Sequence, residues 1–557
     1  MALPAEEAMQ VIFEHPQPAA LVHSFAEEDL HFLIHGIGLE NALPLIALSS
    51  NRQWEYFLDM EIWNRDRLNV PRTTAWLHLL LRADTNRLIK WCFDEKFEFL
   101  ELYLFRNIEV RVREADQSPT ELGDGFFTDD DAFYVRFVDY PAATQQEEAA
   151  KALRNELLGQ LLRRLSIYDH SRYQGLLLEA TAVIPSEIEE ELFRLRNVRL
   201  GEKGFLPFDE AIGVYQPLRP GDLDARGRKV LQLESQEGSR LPVPQFAATF
   251  LEGDDLFVRA LRGIAEAAIV QQLQTELAGL CNQVIAADQI LIQNRDQIQF
   301  VVAKVSGYLS LGLERITSAV RHNREKEASA TIRRYMLADI FRIGFACSLE
   351  LKWQAGRWYR DSWCLSQKVD LTFWGETWLG QLGGLLIDKP QFYDPSQPDS
   401  NYRDFKTMAE IDQTRNGLEQ VAALDELFGL LKVESTLLSS YPFLNYKNLL
   451  LTQWARSCLN APPVAPETLE PAIALDQFKR FYDTLWTCAK EGRIIGDDRK
   501  SAFLQWSANA SGRTTEELSQ RLGWVFEALF DEIQEELATV ATDNLDPRHI
   551  HLFLLKA

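Results

Sequence analysis

QEEAAKALRNELLGQLLRRLSIY, residues 146–168, decides the fold class. Leu153, Leu157, Leu161 and Leu165 recur every four residues, which sets them along one face of an α-helix. A strand would need alternation, and this stretch has none. The same spacing recurs downstream. Val270, Leu273, Leu277, Leu280 and Val284 form one seam, and Ile298, Val302, Val305, Leu309 and Ile316 another, with one longer step. Each seam lasts only a few turns, which favours a helical bundle over an extended coiled coil.

Upstream, residues 24–106 read as a series of short helices. Ser24 to Glu27 has capping-box spacing, and Leu30, Leu33, Ile34 and Ile37 follow on one face, with Gly36 as the expected stop. Pro71 suits a first helical turn, and Asp84 suits the cap of the TNRLIKWCF helix. Short helices with wide apolar faces and brief connections imply a stacked, repeat-like helical array. Ile108–Arg113 and Phe133–Val138 instead alternate with period two, which predicts a small antiparallel insertion near 108–138. Asp129, Asp130 and Asp131 fall in its turn without the alternating ligands and distal glutamate of a calcium loop. Ser186 to Glu189 is a second expected capping box, and Thr514 to Glu517 a third.

Residues 217–253 hold four prolines and four glycines and read as a linker, and APPVAPETLEP (461–471) as a second proline-rich connection. The expected fold is mainly α. An N-terminal irregular helical array with a β-hairpin insertion occupies 1–220, a linker 221–253, and a C-terminal multi-helix bundle domain 254–557. The tail RHIHLFLLK alternates briefly and is expected to add an edge strand or dock in extended form.

Charge narrows the partners. Against 58 Lys and Arg stand 82 Asp and Glu, a net charge of −24 over 557 residues. Such a surface repels phosphate backbones and anionic lipid, so neither nucleic acid nor membrane is an expected partner. No apolar run is long enough to cross a bilayer, and MALPAEEAMQVIFEH lacks the basic and apolar regions of a signal peptide. A cytoplasmic protein whose partners are other proteins is expected. The six cysteines are at least 17 residues apart, so there is no CxxC knuckle or redox pair. No phosphate-binding glycine loop, GxSxG elbow or HExxH helix occurs, so no cofactor is expected.

Two histidine pairs remain as candidate metal ligands. His31 and His35 are four apart on one helix, and so share a face. His549 and His551 are two apart in an extended stretch. The most distinctive composition lies at 353–378, where Trp353, Trp358, Trp363, Trp374 and Trp378 are five of the chain's 13 tryptophans. With Arg357 beside them they fit three readings: a packing hub, a partner hot spot, or a ligand pocket.

Several segments resemble an uncharacterised bacterial family catalogued as a domain of unknown function. They are LFRLRNVRLGEKGFLPFDEAIGVYQPL, FRIGFACSLELKW, FWGETWLGQLGGLLIDKPQFYD and YRDFKTMAEI, and the resemblance runs over most of the chain. The helical series at 24–106 is also similar in style to the cytosolic N-terminal superhelix of bacterial magnesium channels, which implies a stacked-helix fold there and transfers no ligand motif. With no catalytic constellation in view, the expected role is a non-enzymatic interaction or regulatory scaffold. The alternative is a ligand sensor or enzyme with its pocket at the tryptophan segment.

Overall fold

The computed structural model describes residues 4–556 apart from 115, 140, 142, 180–183, 230–250, 252, 321, 398–399, 432–443, 460–471 and 490–491. About 71% of the described residues are helical, and among them the strands form only two-stranded antiparallel pairs. The fold is mainly α, as the leucine spacing at 146–168 implies. In the helix Gln145–Tyr168 the side chains of Leu157, Leu161 and Leu165 are fully buried, joined by Leu158 and Leu162. Among the described residues no helix is long and apolar enough to cross a membrane.

Buried apolar side chains gather into two clusters, one from Ile12 to Leu200 and one from Ala211 to Leu554. Phe205 packs against both. In the first, short helices from Ala5–Glu14 to Phe97–Asn107 lead into the hairpin of Ile108–Val112 and Phe133–Phe137, with Val110 opposite Val135. Asp130 and Asp131 are used up in its turn. Asp130 accepts the backbone N–H groups of Ala132 and Phe133, and Asp131 pairs with Arg113.

The second cluster is organised on two crossed helices, Arg295–Ile316 and Leu337–Asp361. They touch backbone to backbone at Gly312 and Gly344. A Cβ on Gly344 would lie 1.9 Å from the Tyr308 carbonyl oxygen, and one on Gly312 2.1 Å from that of Ile340. Only glycine allows that approach. Around this pair pack Ala267–Asp288, Glu376–Leu386 and Met408–Leu430, and Thr515–Leu537 packs on Met408–Leu430. The tail docks in extended form: Leu555 bridges Ile473, and the Leu554 N–H donates to Thr452 Oγ1 at 2.8 Å.

Several local expectations need correction. Ser24 ends the preceding helix Pro18–Ser24, and the extended residue before the next helix is Ala26, which has no side chain to cap with. That helix stops at Gly38, with φ of 92°, and not at Gly36. Ser186 lies inside the helix Pro185–Glu202, because Pro185 already supplies its first turn. Both glutamates of those expected boxes are buried ion-pair partners instead. Glu27 meets Lys203 and Arg52, and Glu189 meets Arg67 and Arg106. Asp84 and Thr514 do cap, accepting the N–H groups of Arg87 and Glu517. Most of the expected linker and the whole 461–471 connection lie outside the described residues. At the linker's start, Leu223 is buried in the second cluster.

Candidate functional site

Four of the five clustered tryptophans pack inward. Trp374 and Trp378 are buried, and Trp358 and Trp363 are half-buried against the same core. Trp363 stacks on Phe428 with ring centroids 5.1 Å apart, and Phe373 meets Trp374 edge-on at 5.0 Å. The chain turns sharply between Leu337–Asp361 and Trp363–Ser366. Buried Asp425 holds that turn, its two carboxylate oxygens accepting the backbone N–H groups of Trp363 and Cys364 at 2.9 Å each. Burial pushes the Asp425 carboxyl above its ordinary range, partly offset by those N–H groups.

Trp353 is separate. It is 46% exposed, and it lines a cleft of about 570 Å³ together with Arg357, one helical turn away. Arg315 comes from the crossing helix and Arg219 from the Pro217–Asp222 segment. Arg315 lies 4.0 Å from Glu350; among the described residues no acidic group pairs with Arg219 or Arg357. The lining also holds Asp222 and Glu350, so three guanidiniums face two carboxylates around the exposed indole, a local surplus of one positive charge on a chain of net charge −24. Cys347 lies at the cleft floor, its thiol pushed by burial to about 11, so it is inert as a nucleophile. Trp353 and Arg357 were readable as candidates from the sequence. Arg219 and Arg315 were not, since they reach the cleft from distant segments.

His31 and His35 come together with a residue that local spacing does not reveal. Glu61, the last residue of the helix Asn51–Glu61, places Oε1 2.9 Å from His31 Nε2 and 2.8 Å from His35 Nε2. The two imidazole centroids are 4.5 Å apart, and the three ligand atoms lie within 4.8 Å of one another. His31 and Glu61 are buried and His35 is half-buried. Burial alone would raise the Glu61 carboxyl, but the two imidazole hydrogen bonds outweigh it and hold it at about 2. Burial likewise lowers His31 against the pull of Glu61. The trio is therefore a carboxylate oxygen that accepts from both imidazoles through Nε2. Glu61 Oε2 faces Gln293 Nε2 at 3.4 Å, a residue of the second half of the chain.

Beside the trio is a cavity of about 50 Å³, walled by His31, Glu28 and Tyr56 on one side and Cys281, Asn282 and Ile298 on the other. Asn282 Nδ2 and Glu28 Oε2 are buried there with no hydrogen-bond partner. His549 and His551 are exposed and flank buried Ile550, and among the described residues no further ligand type converges on them.

A third polar cluster joins the segments that carried the family resemblance. Tyr215 donates to Asp288 at 2.7 Å, Lys389 pairs with the same carboxylate, and Tyr308 donates to Asp404 at 3.2 Å. Lys304 sits between them, 2.9 Å from Asp288 and 3.4 Å from Asp404. Two lysines face two aspartates, so charge is balanced and every group is occupied. This cluster fastens the bundle.

No curated protein and no solved structure matches the chain. The segments quoted above resemble a family without an assigned role, and that family covers almost every residue: the chain belongs to the family described as a family of unknown function (DUF6178), matching residues 1–556.

Proposed function

We propose that this protein is a non-enzymatic interaction scaffold that docks an acidic segment of a partner protein in the Trp353 cleft. One observation carries the reading. Trp353 stays 46% exposed while Trp374 and Trp378, from the same cluster, are buried, and around it Arg357, Arg315 and Arg219 outnumber the carboxylates of Glu350 and Asp222. Tryptophan and arginine are the residue types that dominate binding energy at protein interfaces. Carboxylates of an extended segment match the guanidinium forks, and an apolar side chain would cover the indole. The rest of the acidic surface repels the same segment, which confines it to the cleft. A small anion is the second reading, favoured by the cleft volume of about 570 Å³, which is within ligand range.

The test is a photo-crosslinking amino acid placed at Gln354, on the cleft wall, in cells that make the full chain. The expected product is one discrete partner, crosslinked through an acidic segment and lost when Arg357→Glu is added. A product unaffected by Arg357→Glu, or no discrete product, would overturn the proposal. A small anion that co-purifies and is displaced by Trp353→Ala would transfer the cleft to the second reading.

A further inference from the structure

We propose that His31, His35 and Glu61 form a binding site for one divalent transition-metal ion of the zinc class, set where the two halves of the chain meet. The donor set is the first reason. Two imidazole nitrogens and a carboxylate oxygen are a zinc set that leaves a coordination position open, whereas magnesium and calcium select oxygen ligands. The geometry is the second. Zinc bonds of about 2.0–2.2 Å in a tetrahedron put neighbouring ligand atoms roughly 3.4 Å apart. The observed separations of 2.9 and 2.8 Å need to open by only about half an ångström. The i, i+4 spacing holds both imidazoles on one face of Glu27–Ile37, and the end of Asn51–Glu61 brings the carboxylate to them.

The surroundings are the third reason. Gln293 engages the other oxygen of Glu61 and orients the carboxylate, as outer partners of metal ligands do. The cavity that His31 lines is bounded by Asn282 Nδ2 and Glu28 Oε2, buried atoms without partners. At about 50 Å³ that cavity has room for a water beside His31, with those two atoms as its hydrogen-bonding partners. Because Gln293 and Asn282 come from the second half of the chain and the ligands from the first, the ion braces the seam between them.

The experiment titrates purified, chelator-treated full chain with zinc chloride and cobalt chloride, reading stoichiometry by equilibrium dialysis and geometry by the cobalt ligand-field spectrum. The expected result is one ion per chain, a cobalt spectrum of nitrogen and oxygen ligands without a thiolate charge-transfer band, and a higher Tm with zinc. His35→Gln keeps a donor for Glu61 at a half-buried position, and it is expected to weaken binding by at least about 100-fold. Glu61→Gln is expected to do the same, with circular dichroism confirming the fold of each variant. Absence of stoichiometric binding to the parent chain would overturn the site. So would a thiolate band, or full-affinity binding by folded His35→Gln. Loss of binding on exchanging His549 and His551 for alanine would place the ion at the chain's end and overturn the site as well.

Discussion

Gly344→Ala tests the crossing on which the second core is built. The added Cβ would stand 1.9 Å from the Tyr308 carbonyl oxygen and 2.9 Å from the Gly312 nitrogen, both backbone atoms that cannot swing aside. Ordinary contact begins near 3.4 Å, so the helices must part locally by about 1.5 Å. Tyr308, Leu309 and Phe341 are fully buried around that contact, and parting the helices loosens their packing. Overpacking of this kind costs roughly 1–3 kcal/mol, and a backbone obstacle puts it at the upper end. Alanine's better helix propensity returns at most about 1 kcal/mol, so a net loss of about 2 kcal/mol is expected. Gly356 provides the control on the same helix, since a Cβ there meets nothing within 4 Å. Gly356→Ala keeps the propensity gain and should stabilise by up to about 1 kcal/mol. Urea unfolding followed by far-ultraviolet circular dichroism compares the two. If Gly344→Ala unfolds at the same urea concentration as Gly356→Ala, or above the parent, the close crossing is refuted.

Other perturbations bear on separate parts of the account. Burial first, then a hydrogen bond and repulsion from Glu179, raise the Glu101 carboxyl from 4.5 to about 7. The folded state thus holds a proton that the unfolded chain releases, so stability is retained below pH 4.5 and lost as pH rises to 7. At face value that is about 3 kcal/mol, and solvent around exposed Glu179 reduces it to roughly 1–2 kcal/mol. Glu101→Gln should therefore raise Tm at pH 8 and leave it nearly unchanged at pH 4; equal effects at both would contradict the assignment. Lys304→Met leaves Asp288 and Asp404 facing each other in the core and should cost roughly 3–5 kcal/mol, measured by urea unfolding, with part recovered by adding Asp404→Asn. Glu189→Ala strips Arg106, Arg67 and the Leu68 N–H of a buried partner and should lower Tm by several degrees, more than Glu189→Gln. Trp353→Ala should alter stability by under about 0.5 kcal/mol, because its indole is not a core group, and a large loss would assign it to the packing hub.

The helical character of the chain was readable because its cause is local. Leu157, Leu161 and Leu165 must share a face whatever surrounds them, and the same holds for the alternation that pairs Val110 with Val135. Capping boxes were less dependable, since the motif requires an extended backbone at its first residue. Ser24 and Ser186 sit inside helices begun by Pro18 and Pro185, so their glutamates were free to find distant partners. The candidate sites were half legible for a related reason. Helical spacing puts His31 beside His35, but Glu61 joins them only through the packing of a separate helix. Likewise Trp353 and Arg357 share a turn, while Arg219 and Arg315 reach the cleft through the tertiary fold. Trp353 and Trp358 lie on one helix, but Trp358 faces the core and Trp353 does not, a difference of face that composition does not reveal.

The docking cleft is tested most directly by charge exchange. The acidic segment identified by crosslinking at Gln354 is titrated against the parent chain and Arg357→Glu, and its lysine-substituted counterpart is titrated against both. The account expects the parent to prefer the acidic segment, Arg357→Glu to lose affinity for it by roughly 10-fold or more, and the lysine segment to regain affinity for Arg357→Glu. Equal binding of the acidic segment by both chains, with no gain for the lysine segment, would contradict it.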